Sequence, residues 1–132
     1  MHYLMSYTIG MNISIKATNM VLTTAIEEYA SKKFDTFKKF IDPADESVHM
    51  AVELGKTTNH HKHGDIFFAE INLHIKGKDL YARTERDDLY TAIDDVRQEV
   101  QRELKSVKTK RIDLIRRGGA KVKAIIKGFN RT

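Results

Sequence analysis

Cysteine is absent from the chain, and its absence removes several chemistries at once. There can be no disulfide framework, no thiolate metal site and no cysteine nucleophile, a composition that suits a reducing, cytoplasmic setting. No apolar run is long enough to cross a bilayer as a helix. The opening MHYLMSYTIG has no basic leader and only scattered apolar residues, so it does not read as a signal peptide. Proline occurs once, at Pro43. The chain has no phosphate-cradling glycine loop, no nucleophile motif, no metalloprotease spacing, no internal repeat and no low-complexity tract. The acidic pairs Glu27–Glu28, Asp87–Asp88 and Asp94–Asp95 do not supply an acid and a base either, because neighbouring helical residues diverge by about 100°. Two of these pairs fall near helix starts, where negative charge complements the macrodipole. An enzyme is not expected, and no cofactor is implied.

What the chain does have is enough apolar content, 41% of 132 residues, for one compact domain plus tails. Its net charge of +5 hides an asymmetry. Residues 1–96 carry 11 Lys+Arg against 15 Asp+Glu, whereas residues 97–132 carry 12 against 3, so the two parts stand at −4 and +9. A concentration of that kind is the footprint of a polyanion partner, nucleic acid before membrane because no strongly apolar anchoring face accompanies it. The competing explanation is a basic tail that confers only solubility.

Hydrophobic period orders the elements. Ile13, Ile15 and Ala17 alternate with polar neighbours in a strand over 11–17. Thr23 and Thr24 offer a helix N-cap, with Thr24 and Glu27 spaced as a capping box. Ile26, Tyr29, Ala30, Phe34, Phe37, Phe40 and Ile41 form that helix's apolar face up to Pro43. Lys33 lies within the stripe, so its head must reach the rim or find a partner. Alternation around Val48–Leu54 and Phe67–Ile75 predicts two further strands, separated by a polar loop over 56–65. A hairpin turn at Gly77 and Lys78 then leads to a fourth strand carrying Leu80, Ala82 and Thr84 inward. The longest periodic segment follows: Leu89, Ile93, Val96, Val100, Leu104 and Val107 make one stripe of a helix over 87–111. Arg97, Lys105 and Lys108 lie on one flank of it, and Asp95, Glu99 and Glu103 on the other. The Gly118–Gly119 pair is expected to end any continuation, leaving AKVKAIIKGFNRT as a flexible arm or a segment that orders on a partner. The fold expected is α+β: a two-layer β-α-β-β-β-α sandwich, a four-stranded sheet with both helices on one face.

Two clusters suggest chemistry. His60, His61 and His63 could bind a transition metal, but a loop with Asp65 as its nearby carboxylate gives no closed ligand set, and no metal site is assigned. The second cluster is basic: Lys32, Lys33 and Lys39 from the first helix, Arg83 and Arg86 near the fourth strand, and Arg97, Arg102, Lys105, Lys108, Lys110 and Arg111 from the last helix. Two helices side by side would present these as a surface that tracks phosphates without reading bases.

The segment Asp88-Leu89-Tyr90-Thr91-Ala92-Ile93-Asp94 follows a β-meander and opens a helix with Arg102, Leu104 and a Lys-rich end. It resembles the D-x-Y-x-A-I-D signature of the ribosome hibernation-promoting factor and ribosome-associated inhibitor A family, a likeness that extends over 11–111 and includes the Thr-capped helix with Lys33 and Phe34. The resemblance implies a layout similar to double-stranded-RNA-binding domains. It also implies binding to the small ribosomal subunit and its 16S-type ribosomal RNA, in the channel of messenger and transfer RNA, so as to silence idle ribosomes. Relatives keep basic residues where this chain has Thr36, Glu99 and Ser106, while Lys33, Arg102, Lys108 and Lys110 persist. The chain resembles the family's short form, expected as a monomer off the ribosome. On this reading residues 1–10 are an extension with little structural role, 11–111 the binding domain and 112–132 a basic tail. The alternative is a protein-interaction module that uses the mixed-charge helix or the wet sheet face.

Overall fold

The computed structural model describes residues 2–8, 12–57 and 64–130, with backbone alone for 2–8, 109–114 and 117–130. The chain divides into two compact units, Met1–Gln101 and Arg102–Thr132.

The first unit is built on a five-stranded sheet in the order β1-β2-β3-β4-β5, comprising β1 (His2–Thr8), β2 (Asn12–Thr18), β3 (His49–Lys56), β4 (Phe67–Ile75) and β5 (Lys78–Arg86). The four expected strands are all present. The fifth comes from the N-terminal extension, where β1 pairs antiparallel with β2 from His2↔Thr18 to Thr8↔Asn12. In its sequence Tyr3, Met5 and Tyr7 alternate, interrupted by Leu4, and the register sets them opposite Ala17, Ile15 and Ile13. β2 and β3 are parallel, and the other neighbours are antiparallel. Parallel neighbours need a long crossover. Here it contains α1 (Thr24–Phe34) and a 3-10 segment, Asp35–Phe40.

Thr23 caps α1, its hydroxyl accepting from the Ile26 N–H at 3.2 Å. With the cap at Thr23, the third helical position is Ile26, so the Thr24–Glu27 capping box does not form. The expected single helix tightens after Phe34, where the Thr36 hydroxyl donates to the Lys33 carbonyl at 2.7 Å. Side chains three apart eclipse in a 3-10 turn. That lines up Phe34 and Phe37, fully buried, with ring centroids 5.9 Å apart at 15°.

The β4–β5 turn falls one residue earlier than expected. Ile75 pairs with Lys78, leaving Lys76 (φ 51°) and Gly77 (φ 73°) as a two-residue loop. Two left-handed residues in succession match the twist of a hairpin, and glycine takes that conformation without strain. At Gly55 the requirement is proximity: a Cβ there would fall on the Thr18 carbonyl oxygen and crowd the Phe68 ring.

The inward sheet face buries Ile15, Met50, Leu54, Ile71 and Leu73, against Phe34 and Phe37 on one side and Ile93, Val96 and Val100 on the other. The last three belong to α2 (Leu89–Asn130), whose first turns lie on the same face as α1. Thr84, the buried polar residue of β5, locks this layer because its hydroxyl donates to the Ala92 carbonyl at 2.7 Å.

In the second unit α2 runs on from Arg102 to Asn130, through Gly118 and Gly119. The glycine stop is therefore not taken, and the expected arm is helical. A glycine inside a helix costs only about 1 kcal/mol, and no proline follows to break the backbone ladder. Leu104 is buried in this unit, and Ile115 is 58% exposed.

Candidate nucleic-acid interface

The seven residues from Asp88 to Asp94 act as a joint in the first unit. The Asp88 carboxylate accepts from the Thr91 N–H and from its hydroxyl, both at 3.0 Å, and so caps the start of α2. Tyr90 meets Tyr29 of α1 edge to face, centroids 4.8 Å apart at 87°. Ala92 and Ile93 are fully buried. At Asp94 one carboxylate oxygen accepts from the Tyr29 hydroxyl at 2.7 Å and pairs with Lys33 Nζ at 3.3 Å. The hydrogen bond to Asp94, followed by burial, pushes the Tyr29 pKa up to about 12. Removing the phenolic proton would place two negative charges face to face.

The predicted basic residues fall into distinct groups. Lys33 finds its partner in Asp94, with its ammonium 5.3 Å from the Tyr29 ring centroid. Arg86, on the helix-facing side of β5, pairs with Asp95 at 2.8 Å. Arg97 donates to Gln101 at 2.7 Å, and its Nε is buried without a partner. These three cations lie with the helices, each held by a neighbour on α2. Lys32 and Lys39 are exposed, Lys39 with Nζ 5.3 Å from the Phe40 ring centroid.

Arg83 stands apart. It lies on the sheet face away from the helices, bonded to Glu70 at 2.9 Å and Glu85 at 3.1 Å, and stacked 4.2 Å from the Phe68 ring centroid. Burial opposes its charge, but the two carboxylates outweigh burial and raise its pKa above the ordinary value. It therefore does not join the helix-side group.

In the second unit Arg102, Lys105 and Lys108 are exposed at successive spacings of three, and no ion pair engages them among the described residues. Glu103 is the acid within this run. Lys110 and Arg111 continue the helical backbone, and their side chains lie outside the described residues, as do His60, His61 and His63 altogether. Among the described residues, no cluster of three or more His, Asp or Glu could hold a metal ion, and no helix is long and apolar enough to cross a membrane.

Sequence period did not reveal the acids that hold the cations, nor a pair of histidines. His49 and His74 face each other across β3 and β4 with ring centroids 5.0 Å apart at 16°. Both occupy polar positions of alternating strands. Only the register between the strands makes them neighbours.

Comparison with known proteins adds three findings. The sequence profile described as "Sigma 54 modulation protein / S30EA ribosomal protein" matches residues 13–112. Proteins named "Ribosome hibernation promoting factor" from Klebsiella oxytoca and Escherichia coli K12 are 28% and 26% identical over 100 residues, covering 76% of this chain and 96% of theirs. Among solved structures, the Thermus thermophilus Protein Y N-terminal domain superposes with a TM-score of 0.58 at 24% identity, covering 72% of this chain and 93% of that one. A ribosomal subunit interface protein from Coxiella burnetii gives 0.58 at 17% identity, covering 74% and 97%. At these identities the two structures establish the fold.

Proposed function

The chain belongs to the sigma 54 modulation protein / S30EA ribosomal protein family, and we propose that it is a ribosome-associated hibernation factor of the cytoplasm that binds rather than catalyses. Its relatives carry the name ribosome hibernation promoting factor over almost their whole length. The finer reading is that it occupies the messenger and transfer RNA channel of the small subunit, held by phosphate contacts, and excludes both RNAs by volume. The observation that carries this reading is the exposed run Arg102, Lys105 and Lys108, set in a segment of net charge +9. Cations already paired with protein acids gain little from a phosphate, whereas unpaired ones release counterions on binding. We therefore assign primary contact to this run, with Lys32 and Lys39 beside it in role. A secondary part falls to Lys33 and Arg86, which acids hold, and to Arg97, whose Nε is buried and whose guanidinium is bonded to Gln101. Lys110 and Arg111 extend the same basic sequence.

Sedimentation with purified small subunits over a salt series tests the proposal. Binding should fall steeply as salt rises, and reversing the charge of Arg102, Lys105 and Lys108 together should flatten that dependence by about three units of log–log slope. Absence of co-sedimentation at low salt would overturn it. The second reading, a protein-interaction module, draws on the Lys33–Asp94 and Arg86–Asp95 pairs, which make the helix side of the first unit mixed in charge. Capture of one protein after nuclease treatment, with no small-subunit RNA, would favour that reading.

A further inference from the structure

The sheet face turned away from the helices is ordered in four rows across β2, β3, β4 and β5. These are Asn12–His49–His74–Asp79, Ser14–Ala51–Asn72–Tyr81, Lys16–Glu53–Glu70–Arg83 and Thr18–Gly55–Phe68–Glu85. The last two rows satisfy themselves. Thr18 donates to Glu53 at 2.9 Å, Arg83 binds Glu70 and Glu85, and its guanidinium covers Phe68, which is 4% exposed.

The first two rows differ in kind. Tyr81 is 53% exposed, Asn72 and Ala51 are exposed, and the stacked imidazoles of His49 and His74 stand beside them. Ala51 leaves a shallow floor between Ser14 and Asn72. Tyr81 and His74 are diagonal neighbours on adjacent strands, about 7–8 Å apart along the backbone. Flat rings held on a rigid sheet, with little aliphatic surface around them, suit a flat ligand better than a packed protein side chain. The Asn72 amide offers the donor and acceptor that match the exposed edge of adenine.

The acids around this area are engaged. Asp79 holds His74 Nδ1 at 2.7 Å, Asp45 accepts from the Ser47 N–H and hydroxyl, and Glu53 and Glu70 are bonded as above. Glu46 stands in the loop ahead of β3. Lys76, in the turn at the same end of the sheet, is exposed where a sugar–phosphate backbone would pass.

We propose that this half of the sheet face binds an unpaired purine base of single-stranded RNA, stacked on Tyr81 and the His49–His74 pair with its edge on Asn72. The site is separate from the basic helix and stands independently of the channel-binding proposal. It gives the protein a means of gripping an exposed nucleotide as well as a phosphate surface.

The test uses the full chain and a fluorescently labelled single-stranded oligoadenylate, without ribosomes. Tyr81→Ala should weaken binding on the order of tenfold, while Tyr81→Phe, which keeps the stacking ring, should bind as the parent does. Asn72→Ala should erase a preference for oligoadenylate over oligouridylate. The His49 and His74 imidazole NMR signals should shift on titration, and an RNA duplex of equal length should compete poorly. Melting curves establish that each variant is folded. Unchanged affinity in folded Tyr81→Ala, still imidazole signals, or equal competition by duplex would each overturn the proposal. Because ribosome co-sedimentation is read separately, either proposal can fail while the other stands.

Discussion

Replacing Asp94 by alanine probes the joint between the two helices directly. The substitution removes the acceptor of the Tyr29 hydroxyl and the partner of Lys33 in one step. A rise of the Tyr29 pKa from 10.0 to about 12 would correspond to about 2.7 kcal/mol in full. Solvent beside Asp94, whose side chain is 35% exposed, reduces the share that reaches stability to about 1 kcal/mol. The Lys33 pair, 34% exposed on its own side, adds about 0.5 kcal/mol. Asp94→Ala should therefore cost about 1.5 kcal/mol in urea unfolding followed by tyrosine fluorescence, with an unchanged denaturant slope. Tyr29→Phe should cost about 1 kcal/mol, and the double variant little more than Asp94→Ala alone. The pH dependence has a definite sign. A phenol whose folded pKa is raised stabilises the fold below its ordinary value and loses that contribution as pH climbs to the raised one. The advantage of the parent over Tyr29→Phe should be complete below pH 10 and gone by about pH 12. An Asp94→Ala deficit under about 0.5 kcal/mol, or a Tyr29→Phe deficit that persists unchanged to about pH 12, would refute the reasoning.

Other expectations follow from single contacts. Thr84→Val keeps shape but deletes the hydroxyl bonded to the Ala92 carbonyl, so thermal melting should report a loss of about 1 kcal/mol. Gly55→Ala forces a methyl onto the Thr18 carbonyl across the parallel β2–β3 pair; a cost of about 1–3 kcal/mol is expected, with faster amide exchange in β2. Phe34→Ala empties a fully buried site stacked on Phe37 and should cost about 3–5 kcal/mol in chemical denaturation. Reversal of the exposed Arg102, Lys105 and Lys108 should leave the melting temperature of the domain nearly unchanged, since exposed substitutions seldom exceed about 0.5 kcal/mol, while weakening ribosome binding.

Particular residues show where pattern suffices. Ile13, Ile15 and Ala17, or Ala69, Ile71 and Leu73, are read as inward because a strand turns every second side chain to the same face, and all six are buried. The apolar stripe through Val100 places the second helix through a different period, three to four residues instead of two. β1 escaped although Tyr3, Met5 and Tyr7 alternate there opposite Ala17, Ile15 and Ile13, because Leu4 interrupts the pattern and the segment reads as an extension. The glycine pair misled because local propensity is a weak term, small beside the cumulative backbone bonding of a long helix. Arg83 and Arg86 look alike in sequence. Three residues apart on one strand they lie on opposite faces, one over Phe68 and the other against Asp95.

The sequence by itself determined the α+β layering, the inward faces, the capped helix starts and the concentration of positive charge toward the C-terminus. Each of these depends on the period of a local backbone or on composition alone. Only the tertiary structure decided which charges are already spent. Asp94 reaches Lys33 from 61 residues away, Asp95 takes Arg86, Glu70 and Glu85 take Arg83, and strand register sets His49 against His74. Whether a cation can meet a phosphate depends on the acid folded beside it, and that neighbour is fixed by packing between distant segments.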